Sequence, residues 1–221
     1  MFQGDDVQTL LDKLGFIPGE IVEIILTTRG VEGELNAAPM GVIRVGARTL
    51  EVRPFLETRT YRNLRDMGLG VANITYDVGL FLETAFKRCG VRPEWFEEEP
   101  VADPPGLRGA DALLFLSVLE ESSFSEMRAR FLCRVEWVRV RTPFPRAFSR
   151  GFAAAIEAII HATRIEAFIR EGRREEVDRL LRLFRGCRDV IERVSPEDSP
   201  NRRVVETLED MIAEWMSKEW R

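Results

Sequence analysis

The spacing of hydrophobic and polar residues predicts a β-sheet in the first two thirds of the chain. Six strands are predicted, at residues 21–28, 36–45, 49–53, 70–75, 112–119 and 124–140. In the last of these, apolar and charged residues alternate until the phase slips at Val138, which predicts a β-bulge. Six strands within roughly 140 residues is the size of a small closed barrel.

Helical periodicity replaces this pattern after Pro143 and Pro145. Three helices are predicted there, near residues 146–170, 173–194 and 200–218. Two shorter helices are predicted between the strands, one beginning near Thr58 and one at Val78. The pattern therefore predicts an α+β fold, with a mostly antiparallel barrel domain at residues 1–143 and a small C-terminal helical domain at residues 144–221.

Composition and charge restrict the possible functions. The chain is 45% hydrophobic and 31% charged, which is typical of a globular protein. Its net charge of -5 argues against binding to nucleic acid or to an anionic membrane surface. No apolar run is long enough to span a bilayer, and the first residues are acidic where a signal peptide is basic, so a cytoplasmic location is expected. A single histidine excludes a His-rich metal site, and we expect no metal.

One strand is unusually rich in small residues. It consists of Asn36, Ala37, Ala38, Pro39, Met40 and Gly41. Glycine and proline within a strand indicate a place where a ligand or another backbone approaches closely. We expect Pro39 to interrupt the ladder, so that neighbouring N–H groups face a ligand. The alternative is an edge strand with a bulge caused by the proline.

A possible anion site lies at the start of the helix that follows. Thr58, Arg59, Thr60 and Asn63 provide hydroxyl, guanidinium and amide donors beside the positive end of the helix dipole, a combination that suits a phosphate group. The alternative is ordinary N-capping beside an exposed arginine. Asn73 is polar within an apolar strand, so it must bond either to a neighbouring loop or to the edge of a ligand.

The first C-terminal helix carries a polar stripe. Arg150, Glu157, His161 and Arg164 recur at helical spacing on one face. We expect Glu157 to orient His161 and to raise the pKa of its imidazole, so that this pair transfers protons while the two arginines bind an anionic substrate. The alternative is an ion-pair network at an interface between domains or subunits.

Several motifs occur together in a characteristic order. They are Thr27-Thr28-Arg29, Asn36 to Val42, Thr58-Arg59-Thr60-Tyr61-Arg62-Asn63-Leu64, Val71 to Thr75, and Glu157 to Arg164. Over nearly its whole length the chain resembles an uncharacterised, largely archaeal family that has an FMN-binding split β-barrel followed by a small helical domain. The wider superfamily includes flavin reductases and pyridoxamine-phosphate-oxidase-like proteins.

This resemblance implies a cofactor and a class of chemistry. The cofactor would be FMN, with its ring against residues 36–41 and its phosphate at residues 58–63, and the protein would be a homodimer. We expect an oxidoreductase that passes hydride through the flavin N5 atom, from NAD(P)H or a deazaflavin to an unidentified small molecule. The alternative is a noncatalytic FMN-binding carrier or sensor protein.

Overall fold

The protein is described by a computed structural model at residues 6–97, 102–142 and 149–219. These residues form two compact units. The barrel unit includes the residues up to Tyr76 and those from Cys89 to Thr142, and the helical unit includes Asp77 to Arg88 and the residues from Ser149 onward.

The described residues of the barrel unit form six strands, two α-helices and a 3₁₀ turn at Pro93–Trp95. The strands and α-helices are α1 (Val7–Lys13), β1 (Ile21–Arg29), β2 (Leu35–Arg44), β3 (Thr49–Val52), α2 (Arg59–Met67), β4 (Leu69–Ile74), β5 (Ala112–Ser123) and β6 (Ala129–Val140). Every neighbouring pair is antiparallel, in the order β1-β2-β3-β6-β5-β4, and β4 pairs with β1 to close the barrel. The predicted six-stranded barrel is confirmed.

Alternate side chains of each strand fill the interior. The fully enclosed residues include Ile24, Leu26, Val42, Leu50, Ala72, Leu114, Phe131, Cys133 and Val135. Burial of a large aliphatic or aromatic side chain contributes about 1.5–3 kcal/mol, so this set supplies much of the stability of the barrel. Outward-facing positions on the same strands alternate with these residues.

The bulge predicted near Val138 is present. Phe115 pairs with Trp137 and Leu116 pairs with Val135, so Glu136 is the extra residue on β6. Val135 therefore faces the core, whereas the ring of Trp137 stacks on that of Phe115 with a centroid separation of 3.5 Å. This extra residue causes the phase slip in the sequence.

The barrel is split between the first half of β2 and the chain after β3. The β2–β3 ladder begins at the pair Val42 and Val52, so within the described residues positions 35–41 pair only with β1. Beyond Val52 the chain follows β6 instead: Ala129 N–H donates to the Pro54 carbonyl at 3.2 Å. This divergence leaves one edge of β2 without a strand neighbour among the described residues.

Helix α2 packs against one end of the barrel. It begins at the N-cap Thr58 and ends at Gly68, whose φ of 69° favours glycine. Leu64 of this helix reaches the barrel core. Gly70 makes room for it, because a Cβ there would lie 3.2 Å from Leu26 and 3.5 Å from Leu64.

The helical unit consists of α3 (Val78–Phe86), α4 (Arg150–Arg170), α5 (Arg174–Val194) and α6 (Pro200–Glu219). The predicted boundary at residues 143 and 144 lies outside the described residues. The domain boundary therefore stays a prediction, while α3 belongs to the helical unit although its sequence lies between β4 and β5.

Aromatic contacts explain the position of α3. The Phe81 ring lies 6.5 Å from that of Phe152, and the Phe86 ring lies 5.7 Å from that of Trp215. These contacts attach α3 to α4 and α6. None of the helices in the described part of the chain is long and apolar enough to cross a membrane.

Candidate functional site

The backbone of β2 directs alternate residues toward the split. In an antiparallel ladder, successive residues point their N–H and C=O groups to opposite sides. Val45 N–H donates to the Thr49 carbonyl at 3.0 Å, so the odd-numbered residues of β2 face the side of β3. Ala37 and Pro39 therefore face the split.

Pro39 does not interrupt the β1–β2 ladder, contrary to the sequence-based prediction. The register runs without a shift from Leu35 to Ile43, and Pro39 pairs with Ile25. The reason is that Pro39 occupies a position whose backbone is directed away from β1, where the missing N–H costs no ladder hydrogen bond. The predicted bulge alternative is also wrong for the same reason.

The outer surface beside the split is formed by Pro39 and Gly41, both of which are partly exposed. A Cβ on Gly41 would lie 2.9 Å from Ile21 Cγ2 and 3.1 Å from a Glu23 carboxylate oxygen. Glycine at this position therefore leaves room for the side chains of Ile21 and Glu23, which lie beside it. Ala37 faces the same side but is fully buried, whereas Ala38 and Met40 have the opposite orientation.

Three of the predicted cofactor residues meet in a buried polar cluster. The Asn36 side-chain amide donates to Thr60 Oγ1 at 3.0 Å and to Thr28 Oγ1 at 3.5 Å. Asn63 donates to Thr28 Oγ1 at 3.0 Å. All four residues are buried, so these hydrogen bonds join α2 to β1 and β2.

The first residue of the predicted phosphate motif is used for capping. Thr58 Oγ1 donates to the Phe55 carbonyl at 2.7 Å and accepts from Tyr61 N–H at 3.2 Å, so its only hydroxyl proton is already engaged. Arg59 is exposed and has no charged partner among the described residues. An anion at this helix end would meet Arg59 and first-turn N–H groups, not the hydroxyl protons of Thr58.

Asn73 forms hydrogen bonds with a neighbouring loop, one of the two alternatives left by the sequence. Its amide nitrogen donates to the carbonyls of Ile25 at 2.8 Å and Val71 at 2.9 Å. Its amide oxygen accepts from Leu107 N–H at 2.6 Å. Asn73 is fully buried, and Thr27 makes a parallel contact to the same loop by donating to the Pro105 carbonyl at 2.9 Å.

A charged cluster on the outer face of β3 and β6 was not identified as a unit from the sequence. Glu51 is only 4% exposed and accepts hydrogen bonds from Arg53 and, at 2.6 Å, from Arg130 Nε. Burial alone raises the pKa of Glu51, but the two arginines together lower it below the ordinary value. The carboxylate therefore stays ionised at neutral pH.

The polar stripe of α4 differs electrostatically from the prediction. His161 Nε2 lies 3.9 Å from a Glu157 carboxylate oxygen, and the imidazole is 12% exposed. Burial lowers the pKa of His161 and outweighs the opposing effect of Glu157, while Arg164 lowers it further. The predicted increase in pKa is wrong, because the Glu157 side chain is 61% exposed and its charge is screened.

The polar side chains of this stripe differ in their exposure to solvent. His161 Nδ1 is buried without a hydrogen-bond partner in the described part of the chain, whereas Arg150 and Arg164 are both exposed. The described residues contain no group of three His, Cys, Asp or Glu side chains that would hold a metal ion.

Comparison with known protein families identifies the chain. The N-terminal domain of the DUF447 family, described as a protein of unknown function, matches residues 22–141, and the C-terminal domain of the same family matches residues 149–210. The chain belongs to the DUF447 family. The family resemblance inferred from the sequence motifs is thereby confirmed.

A solved member of the DUF447 family has the same fold. It is an FMN-bound protein from Methanosarcina mazei with 24% sequence identity and a TM-score of 0.74, and the match covers 90% of this chain and 98% of that one. A weaker similarity, with a TM-score of 0.48 and 21% identity, links 57% of this chain to 74% of an FMN-binding protein from Thermus thermophilus. The styrene monooxygenase flavin reductase of Pseudomonas putida matches with a TM-score of 0.47 and 16% sequence identity. That match covers 54% of this chain and 81% of the reductase.

Proposed function

We propose that the barrel unit binds FMN and that the protein is an FMN-dependent oxidoreductase. The observation that carries this proposal is the edge of β2 at the split, where Ala37 and Pro39 direct their backbone groups away from β1. The FMN-bound relative from Methanosarcina mazei, which has the same fold, supports the choice of cofactor.

The exposed surface at the split suits a flavin ring. An isoalloxazine needs a flat wall and backbone groups that bond to its polar edge. Pro39 and Gly41 are the proposed wall, and the side chains of Ile21 and Glu23 lie beside Gly41 and would border the ring. The backbone N–H of Ala37 and the carbonyls of Ala37 and Pro39 are directed toward the split, where they would meet the polar edge.

Arg59 and the first turn of α2 are the proposed contacts of the FMN phosphate. The first N–H groups of a helix and its dipole favour an anion, and an exposed guanidinium adds charge-assisted hydrogen bonds. Thr58 fixes the start of the helix, while Thr60 and Asn63 hold it against Asn36 and Thr28. In this proposal these residues position the phosphate site without donating their side-chain protons to it.

When bound, FMN supplies hydride transfer at its N5 atom. The proposed donor is NAD(P)H or a reduced deazaflavin, and the acceptor is a small molecule. The sequence has no dinucleotide-binding glycine motif, so a nicotinamide would bind only transiently at the exposed side of the wall.

The second candidate function is that of a noncatalytic FMN carrier or sensor. Anaerobic mixing with each donor separates the two, because only an oxidoreductase loses its oxidised-flavin absorbance.

Chemical roles are also proposed for the polar residues of α4. His161 and Glu157 are proposed to transfer protons, and Arg150 and Arg164 are proposed to bind an anionic substrate. The lowered pKa of His161 makes a neutral imidazole the predominant form at pH 7. If the role in proton transfer is real, His161→Gln lowers turnover at unchanged FMN affinity; equal turnover in both proteins contradicts it.

A homodimer is also part of the proposal. Phe55, Leu56, Phe124 and Met127 are 40–59% exposed and lie together where the chain after β3 runs beside the β5–β6 hairpin. Clustered exposed apolar residues often mark an interface. Analytical ultracentrifugation tests this part: a dimer is expected, and a monomer at all concentrations contradicts it.

Gly41→Ala tests the flavin wall directly. The nearest atom to the added Cβ belongs to Ile21, which is 64% exposed and can move, so the barrel should stay folded. We expect FMN affinity to fall about tenfold or more, since the methyl group separates the ring from the strand. Gly46→Ala is the matched control, because its Cβ would lie 3.3 Å from Thr49 in the β2–β3 turn. Equal FMN affinities for the two variants would contradict the proposed wall.

A further inference from the structure

Two arginines face each other on the outer surface of the barrel. Val52 pairs with Phe131, so the next position on each strand places Arg53 opposite Arg130. The hydrogen bond from Ala129 N–H to the Pro54 carbonyl continues this arrangement. Like charges directly opposite one another destabilise a sheet, so this pair requires compensation.

Glu51 compensates only half of the positive charge. One of its carboxylate oxygens accepts from Arg53 and the other accepts from Arg130 Nε at 2.6 Å. A single carboxylate thus bridges two guanidinium groups, and the cluster retains a net charge of about +1. Both arginine side chains are 32% exposed, whereas Glu51 is 4% exposed, so the excess positive charge lies on the solvent side.

Unused donors remain on the exposed side of the cluster. Glu51 engages Arg130 through Nε, and within the described residues neither terminal nitrogen of Arg130 has a hydrogen-bond partner. Arg53 is held more closely, with its guanidinium carbon 4.2 Å from the centre of the Phe124 ring. Glu51 and Phe124 therefore hold the guanidinium of Arg53 in place beside that of Arg130. An arginine fork held in this way is suited to binding a phosphate or a carboxylate.

The cluster borders the proposed flavin wall. Val42 and Val52 form the last pair of the β2–β3 ladder, so Gly41 and Arg53 are the next residues on the two strands, at the point where the strands diverge. An anionic group on the arginines would therefore lie at the end of the β2–β3 ladder that borders the wall.

We propose that Arg53 and Arg130, held in place by Glu51, bind an anionic group at the edge of this wall. The shared chemistry is that of a phosphate or carboxylate. Its source is either an anionic group of the molecule that exchanges hydride with the flavin or the phosphate of FMN itself, which would then bind here instead of at Arg59. The identity of this ligand rests on the proposed FMN function, whereas anion binding by the arginines does not.

Inorganic phosphate is the probe that tests the site without a cofactor. Isothermal titration at constant ionic strength compares FMN-free wild type with Arg130→Gln, and we expect the variant to bind phosphate about tenfold more weakly, as the loss of one charge-assisted contact implies. Arg134→Gln is the control, since Arg134 is an exposed arginine on the same strand and face and is not bonded to Glu51. Equal phosphate affinity for the two variants, or no measurable binding to wild type, overturns the proposal.

Glu51→Gln should change the phosphate affinity in the direction opposite to Arg130→Gln. Loss of the carboxylate leaves both arginine charges uncompensated, so phosphate should bind more tightly than in wild type. A purely structural cluster predicts lower stability without tighter phosphate binding, and that result would count against the site. The urea midpoint of each variant, measured with and without phosphate, shows whether the protein remains folded.

Comparison of FMN with riboflavin identifies the source of the anion. If the arginines hold the FMN phosphate, Arg130→Gln lowers the affinity for FMN but not for riboflavin. If they hold a second molecule, the FMN-to-riboflavin ratio stays at the wild-type value and FMN-loaded protein still binds phosphate. A protein that binds phosphate but not FMN would refute the proposed cofactor function alone. A protein that binds FMN while Arg130→Gln and Arg134→Gln behave alike would refute the anion site alone.

Discussion

Replacement of Asn73 by alanine should destabilise the barrel without a specific effect on FMN binding. Asn73 is fully buried on the outer side of β4, and its amide joins β1, β4 and the loop around Leu107. Asn73→Ala would remove the Asn73 side chain as a partner of the carbonyls of Ile25 and Val71 and of the N–H of Leu107, although the Val71 carbonyl keeps a contact from Thr27 Oγ1 at 3.3 Å. The first two lose a donor, and the third loses its acceptor.

The size of the effect follows from the three short hydrogen bonds. They measure 2.8 Å, 2.9 Å and 2.6 Å, and each contributes about 1 kcal/mol. The weaker contact to Thr27 Oγ1, at 3.3 Å, adds little. We therefore expect the free energy of unfolding to fall by about 3 kcal/mol, and more if water cannot reach the exposed backbone groups.

Urea unfolding followed by circular dichroism measures this loss, with Asn201→Ala as the control. The side chain of Asn201 makes one hydrogen bond, to Ser195 Oγ at 3.3 Å, so its loss should cost under about 1 kcal/mol. Trypsin provides a local readout, because release of the loop should speed cleavage after the exposed Arg108. Equal urea midpoints for the two variants, with unchanged cleavage, would refute this role. A selective loss of FMN affinity would favour the ligand role instead.

Two further predictions concern α2 and α4. Thr58→Ala should lower stability by about 1 kcal/mol through loss of the N-cap, whereas Thr58→Ser should retain it; equal urea midpoints for the two variants would contradict the capping role. Because burial lowers the pKa of His161, the unfolded chain binds a proton more readily, and stability should decrease as pH falls from above about 6.5 through the lowered pKa. His161 is the only histidine, so the stability of His161→Gln should depend less on pH than that of wild type between about pH 7.5 and pH 5.5. Parallel plots of stability against pH for the two proteins would contradict this.

The sequence predicted the barrel well because its strands are either apolar, β-branched runs or alternate between apolar and polar positions. A nearly continuous apolar run located β5 and a period-two pattern located β6. The slip at Val138 indicated a bulge, which the pairing places at Glu136. The position of α3 was missed for a different reason. Its aromatic partners Phe152 and Trp215 lie far along the chain, and no local pattern records such contacts.

The candidate site was predicted only in part. Residue types identified Asn36, Thr60 and Asn63 as polar residues that must lie together, but type alone does not show whether a side chain bonds to the protein or faces a ligand. The same limit applies to Pro39, whose effect depends on which side of β2 its backbone faces. The cluster around Glu51 depends on the pairing of β3 with β6, roughly 80 residues away, which the sequence pattern does not specify.

A fluorescence titration of FMN with the purified, ligand-stripped protein tests the central claim most directly. If the surface at Pro39 and Gly41 binds the flavin, FMN fluorescence should change and saturate at a single FMN per chain. Gly41→Ala should shift this curve to higher protein concentration, while Gly46→Ala should leave it in place. Fluorescence that stays at the level of free FMN with excess folded wild-type protein would contradict the account.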